Sequence, residues 1–127
     1  MNTLLAVAAG GAIGAGARHL FNLQALRLFG PNFPWGTVGV NIVGSLLMGV
    51  LVGFFAFKAD LSPEWRSFLA TGILGGFTTF SAFSLDAANL MQRGDMGLAF
   101  AYIGGSVAVG IGALFLGLFL VKAMLSV

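Results

Sequence analysis

Apolar residues fill four long stretches of the chain, and the charged residues stand between them. The charge-free stretches are 1–17, 28–57, 67–85 and 96–121. A helix that crosses a bilayer needs about 20 mainly apolar residues. The pattern therefore predicts an all-α integral membrane protein, a single transmembrane domain over 1–127 with four helices at about 3–26, 35–57, 63–92 and 96–124.

The third of these stretches is interrupted by small and hydroxylated residues. The run GGFTTFSAFS over 75–84 places two glycines, four hydroxyl groups and three phenylalanines at bilayer depth. Backbone that leaves a helix inside lipid is costly unless it is buried in protein or lines a cavity. We therefore predict a break in the third helix near 75–79, and we expect that break to build a site.

Composition narrows the class of protein further. Only 8% of the 127 residues are charged and the mean hydropathy is +0.99, whereas soluble domains carry about 25% charged residues. Cysteine is absent, which excludes disulfides and thiolate metal sites. The net charge of +2 is too small and scattered to indicate nucleic acid. No Lys or Arg precedes the first apolar stretch, so we expect a retained helix rather than a cleaved signal peptide.

Positive charge is divided almost evenly between the two sides of the membrane. One side receives Lys58, Arg66 and Lys122, and the other receives Arg27 and Arg93, with Arg18 near it. Orientation follows the Lys/Arg difference between sides, and here that difference nearly vanishes. We therefore expect insertion in both orientations and an antiparallel homodimer, whose eight helices can enclose a pathway that four can scarcely enclose.

The apolar helices carry neutral hydrogen-bonding groups rather than catalytic ones. The sequence offers no nucleophile–base pair, no carboxylate cluster at bilayer depth and no metal-binding His/Cys group, so we expect no enzyme activity. Asn41 is the most informative polar residue, and its amide is predicted either to bond a neighbouring helix or to contact a ligand. The full set is Asn41, Ser45, Thr71, Thr78, Thr79, Ser81, Ser84, Tyr102 and Ser106.

These donors favour a small anion, and the predicted break favours a cation beside it. Phe80 and Phe83 share a helix face, and their positive ring edges together with amide and hydroxyl donors suit a dehydrated anion. Packing is the simpler interpretation of the two rings. Carbonyls freed at 75–79 would favour Na⁺ over Ca²⁺, because no carboxylate accompanies them.

Three motifs carry a resemblance to a known family. The run over 75–84 stands in order with GGAIGAGAR over 10–18 and GTVGVNIVG over 36–44. Together they closely resemble the Fluc (CrcB-type) fluoride channels over the whole chain. The resemblance implies an antiparallel, dual-topology homodimer with a broken third helix and two pores. It also implies passive export of fluoride across the bacterial inner membrane, without nucleotide, which lowers cytoplasmic fluoride.

The resemblance also implies roles for individual residues. Asn41 donates to fluoride and the ring edges of Phe80 and Phe83 meet it, in a pore lined by Asn41, Phe80, Phe83, Ser81, Tyr102 and Ser106. Arg18 belongs to an aqueous vestibule. The backbone carbonyls of Gly75 and Thr78 hold a central structural Na⁺ that both subunits share and that is not transported.

Three positions depart from the family pattern. Ala82 stands where a threonine is frequent, and Gly110 where a further hydroxyl of the pore is expected. Asp86 stands where glutamate is common, and we expect it to face a vestibule because a carboxylate repels an anion.

Two other functions remain as alternatives. A small dual-topology multidrug/proton exporter also has four helices, but it needs a membrane-embedded acid, preferably in the first helix, which carries none. In the first helix Ala6, Gly10 and Gly14 are spaced by four, which predicts close packing against another helix. A purely structural membrane subunit explains this spacing, but not Asn41 together with the interrupted third helix.

Overall fold

The computed structural model describes residues 2–57 and 60–125, so Lys58 lies outside the described residues. Three membrane spans are single helices: α1 (Asn2–Phe29), α2 (Trp35–Phe57) and α6 (Met96–Leu125). The third span is assembled from α3 (Pro63–Arg66), a π-helix (Ser67–Leu74), α4 (Gly75–Phe77) and α5 (Phe80–Gln92). All four spans are long and apolar enough to cross a membrane, as the hydropathy pattern predicts.

The third span differs in detail from the sequence expectation. Gly75–Phe77 stays helical, and only Thr78 (ψ 161°) and Thr79 (φ −153°, ψ 123°) adopt extended backbone. The π-helix before them was not predicted, because the apolar period of so uniformly hydrophobic a stretch carries no sign of it. Its wider turn is seen where the Gly75 N–H reaches back five residues to the Ala70 carbonyl.

Glycines bring α1 into backbone contact with the third span. Gly10 and Gly14 are buried, and a Cβ on either would overlap backbone atoms of the π-helix: Gly10 faces Gly72, and Gly14 faces the Ile73 carbonyl. Gly76 faces the backbone of α1 in the same way. Small residues spaced by four allow this approach between membrane helices, as their spacing in α1 predicts.

The second close contact joins α2 and α6, which run parallel. Gly49 lies against Leu114, Gly53 against Val121, and Gly117 against Leu46 and Val50. Residue numbers rise together along the two helices, so both run from the same membrane surface. This contact sets the rotation of the two helices, and it thereby decides which side chains of α2 and α6 face each other nearer their N-termini.

A small core anchors α5 to α6 at the membrane surface where α1 ends and α2 begins. Tyr102 and Leu90 are buried there together with Ala87 and Ala99. The turn after α5 is held to the turn after α1, because Arg93 Nη2 donates to the Asn32 carbonyl at 2.8 Å. These contacts hold α5, α6 and the turn after α1 together at this end of the bundle.

We predict that Gly14→Ala destabilises the protein, because its Cβ would meet the Ile73 carbonyl and the Phe77 backbone nitrogen. Overpacking of this kind costs about 1–3 kcal/mol. The matched control is Gly16→Ala, since Gly16 is exposed and faces open space. The midpoint temperature of thermal unfolding in detergent should be lowered in Gly14→Ala and unchanged in Gly16→Ala. Equal stability of the two would contradict the backbone contact.

Candidate functional site

Asn41 pairs with the extended backbone of the third span. Its Oδ1 accepts from the Thr79 N–H at 2.8 Å, and its Nδ2 donates to the Thr79 carbonyl at 3.0 Å. The amide thereby satisfies both backbone groups of Thr79, as a neighbouring strand would. Because a side-chain NH₂ carries two hydrogens, one N–H of Asn41 stays available after this bond between helices.

The same pairing changes the hydrogen bonds of the surrounding carbonyls. In an uninterrupted helix the Thr79 N–H would bond the Gly75 carbonyl, and the Ala82 N–H would bond the Thr78 carbonyl. Here Asn41 takes the first donor, and the Thr79 hydroxyl takes the second at 3.1 Å. The Gly75 and Thr78 carbonyls therefore lose their helical donors.

Arg18 binds the Gly76 carbonyl, which lies between Gly75 and Thr78 along the chain. Its Nε donates to the Gly76 carbonyl at 3.0 Å, and the side chain is half-buried. The backbone contact at Gly14 brings α1 close enough for this bond. Arg18, assigned to a vestibule by resemblance, is thus placed against the third span.

A cavity of about 310 Å³ lies beside the extended segment. The residues that line it are uncharged and come from α2, α5, α6 and the extended segment: Asn41, Gly44, Ser45, Met48, Thr78, Thr79, Phe80, Phe83, Ser106, Val107 and Leu114. The Ser106 hydroxyl oxygen is buried and has no hydrogen-bond partner among the described residues. Four of the expected pore residues therefore share one cavity.

The two phenylalanines form its outer wall. Their ring centroids are 5.7 Å apart with an interplanar angle of 41°. Phe83 is half-buried, whereas Phe80 is 78% exposed. The cavity is consequently open on the side of Phe80, and one copy of the chain does not enclose it.

Tyr102 lies next to this cavity, on the side of the membrane surface. Its buried ring lies 5.1 Å from that of Phe83, and its hydroxyl donates to Asp86 Oδ2 at 3.1 Å. Asp86 in turn lines a second cavity of about 360 Å³, together with Asn22, Asn89 and other residues at the end of the bundle. Asp86 therefore lies at a cavity at this end of the bundle, and its role at a vestibule stays a prediction.

Ser81 and Asn22 lie outside the lining of the first cavity. Ser81 is exposed and lies outside the lining of the first cavity, with its hydroxyl 3.4 Å from that of Thr79. Asn22 received no role from the sequence, although it follows Arg18 by one helical turn. Its buried Oδ1 has no partner among the described residues, and it lines the second cavity.

The first cavity thus offers amide and hydroxyl donors and aromatic edges, without a charged side chain in its lining. A family model described as CrcB-like protein, Camphor Resistance (CrcB), matches residues 5–118. The chain belongs to the CrcB-like family. This confirms the family expected from the three sequence motifs.

Several curated relatives are similar to this CrcB-like chain over nearly its whole length. It is 56% identical over 124 residues to the fluoride-specific ion channel FluC of Mesorhizobium japonicum, covering 98% of this chain and 99% of that protein. It is 55% identical over 118 residues to the FluC of Agrobacterium fabrum, covering 93% and 94%. A third FluC, of Cereibacter sphaeroides, is 53% identical over 126 residues, covering 99% of each chain.

We predict that Thr79→Val weakens the start of α5, because valine keeps the shape of threonine but cannot accept the Ala82 N–H. Loss of such a helix cap costs about 1 kcal/mol. Thermal unfolding should show lower stability, and the Ala82 amide should exchange faster with solvent deuterium. The control is Thr71→Val, an exposed position in the π-helix. Unchanged exchange at Ala82 would contradict the cap.

Proposed function

We propose that this CrcB-like protein is a fluoride channel that lets F⁻ leave the cytoplasm passively across a bacterial inner membrane. The observation that carries the proposal is the uncharged cavity where Asn41, Ser106, Phe80 and Phe83 meet. Relatives that cover nearly the whole chain are named fluoride-specific ion channels, which supports the same function. The protein is accordingly a transporter and not an enzyme.

The chemistry of the cavity suits an ion that must shed its water. Amide and hydroxyl groups donate hydrogen bonds, and phenyl rings present positive edges, so each can replace part of a hydration shell. A fixed positive charge in the lining would hold the anion too strongly, whereas conduction requires binding weak enough for the ion to leave. Tyr102, whose hydroxyl is bonded to Asp86, lies between this cavity and the second cavity, which serves as the vestibule.

A multidrug/proton exporter has less support. Its mechanism requires an acid within the membrane that exchanges protons against substrate. Asp86 follows Phe83 by about one helical turn, and it lies at the proposed vestibule, where its carboxylate accepts a hydrogen bond from the Tyr102 hydroxyl. No acidic residue lines the cavity around Asn41 in the described part of the chain.

Conduction requires a second copy in the opposite orientation. Phe80 is 78% exposed and leaves the cavity open to one side, and an antiparallel partner at this face would close it. The near balance of Lys and Arg between the two sides supports insertion in both orientations. The functional unit is therefore proposed as a dual-topology homodimer with two pores.

A structural Na⁺ at the centre of this dimer fits the freed carbonyls. Gly75 and Thr78 carry the carbonyls whose helical donors are taken by Asn41 and Thr79. Carbonyl oxygens at interrupted helices coordinate Na⁺ in transporters. Gly75 is exposed on one copy, so carbonyls of two copies can hold the ion together. The bound Na⁺ would join the subunits and raise the local potential for an anion nearby.

Fluoride efflux from liposomes that contain only the purified protein tests the function. With a K⁺ ionophore present, a fluoride electrode should record rapid efflux that needs no proton gradient, and chloride should remain inside. Vesicles that retain fluoride would refute channel function. Efflux that requires a proton gradient would favour the exporter.

In the same assay we predict that Asn41→Asp lowers fluoride flux about 100-fold or more. The variant loses the Nδ2 donor and places a carboxylate in the anion path; loss of a charge-assisted hydrogen bond costs about 1.5–3 kcal/mol, and about 2.8 kcal/mol corresponds to that factor. The matched control is Asn2→Asp at the exposed start of α1, with normal flux expected. Near-normal flux of a folded Asn41→Asp dimer would remove Asn41 from the pore.

Dual topology predicts partial labelling from either side of the membrane. The chain has no cysteine, so Asn32→Cys and Asp60→Cys each introduce a single thiol, at exposed positions on opposite surfaces. An impermeant maleimide added to intact cells should label about half of each variant, because orientation follows the Lys/Arg difference. Complete labelling of one variant and none of the other would indicate a single orientation.

A further inference from the structure

Ser45 carries a hydroxyl that its own helix does not use. It lies one turn beyond Asn41 on α2, is half-buried, and lines the same cavity as Ser106 and Phe80. Hydroxyls within helices commonly bond the carbonyl four residues back. The third span contains two such hydrogen bonds: the Thr78 hydroxyl donates to the Leu74 carbonyl, and the Ser84 hydroxyl donates to the Phe80 carbonyl.

In contrast, no hydrogen bond joins Ser45 to another of the residues at 2–57 and 60–125. The neighbouring lining includes the apolar side chains of Met48 and Leu114. A hydroxyl left unpaired against apolar groups is costly, and alanine would pack there without that cost. The geometry therefore indicates that the Ser45 hydroxyl is available to bind a ligand that enters the cavity.

Gly110 on α6 stands directly opposite this hydroxyl. A Cβ built on Gly110 would lie 3.7 Å from Ser45 Oγ. Because α2 and α6 run parallel, the steps from Asn41 to Ser45 and from Ser106 to Gly110 both advance about 6 Å in the same direction. The Ser45 hydroxyl thus lies within van der Waals contact of a side chain at position 110.

We propose that Ser45 is an anion-binding residue of the pore and supplies, from α2, the hydroxyl that α6 lacks at Gly110. This inference rests on the proposed fluoride conduction. The anion leaves the level of Asn41 on α2 and Ser106 on α6, and it next meets Ser45, one turn further along α2. At this level α6 offers no side-chain donor, because Gly110 stands there, and α2 supplies one through Ser45.

Exchange of the hydroxyl between the two helices tests the proposal in the liposome assay. Ser45→Ala should lower fluoride flux about tenfold, since a lost hydrogen bond of ordinary strength corresponds to roughly that factor. Ser45→Ala with Gly110→Ser should restore flux to within about twofold, because the second substitution returns a hydroxyl to the same space. Ser84→Ala serves as the control, since its exposed hydroxyl is bonded to the Phe80 carbonyl.

A second pair of variants separates the hydroxyl from packing. Ser45→Thr and Ser45→Val have nearly the same shape, and only threonine keeps the donor. Flux retained by threonine and lost by valine, with equal thermal stability, supports the proposal. Normal flux in Ser45→Ala and Ser45→Val, or a loss that Gly110→Ser does not repair, overturns it. Absence of fluoride flux in the unaltered protein would instead refute the proposed function.

Discussion

The pairing of the Asn41 amide with the backbone of Thr79 is the interaction on which the site depends. Extended backbone among apolar helices leaves an N–H and a carbonyl that must be satisfied, and Asn41 satisfies both. It also removes the donor that the Gly75 carbonyl would have had. One side chain on α2 thus stabilises the extended segment, takes the helical donor of the Gly75 carbonyl and keeps one N–H of its own unused by this pair.

Close packing of glycines places the other groups around this pair. Gly14 brings α1 against the third span, which lets Arg18 bond the Gly76 carbonyl. A charge near bilayer depth is costly unless it is paired or bonded to backbone carbonyls, and this bond supplies the partner. Tight contacts at Gly49 and Gly117 align α2 with α6, so that the donors of both helices face one cavity.

Much of the fold follows from local features of the sequence. The four spans were predictable because hydrophobicity over about 20 residues is a local property. The glycines of α1 predicted a close helix contact, and the family motifs predicted the donors. Local patterns carried no sign of the π-helix over Ser67–Leu74 or of the helical turn α4 over Gly75–Phe77, because hydrogen-bond geometry inside a helix leaves no separate hydrophobic period.

The sequence by itself determined the residue types available: neutral donors, aromatic rings and small residues within apolar helices, with almost no charge. Only the tertiary structure decided which of them meet. Asn41 and Thr79 are 38 residues apart, Tyr102 reaches Asp86 from another helix, and Ser45 of α2 lies beside Gly110 of α6. Such pairings depend on which helix faces pack together, and helix packing is set by the whole bundle rather than by any one segment.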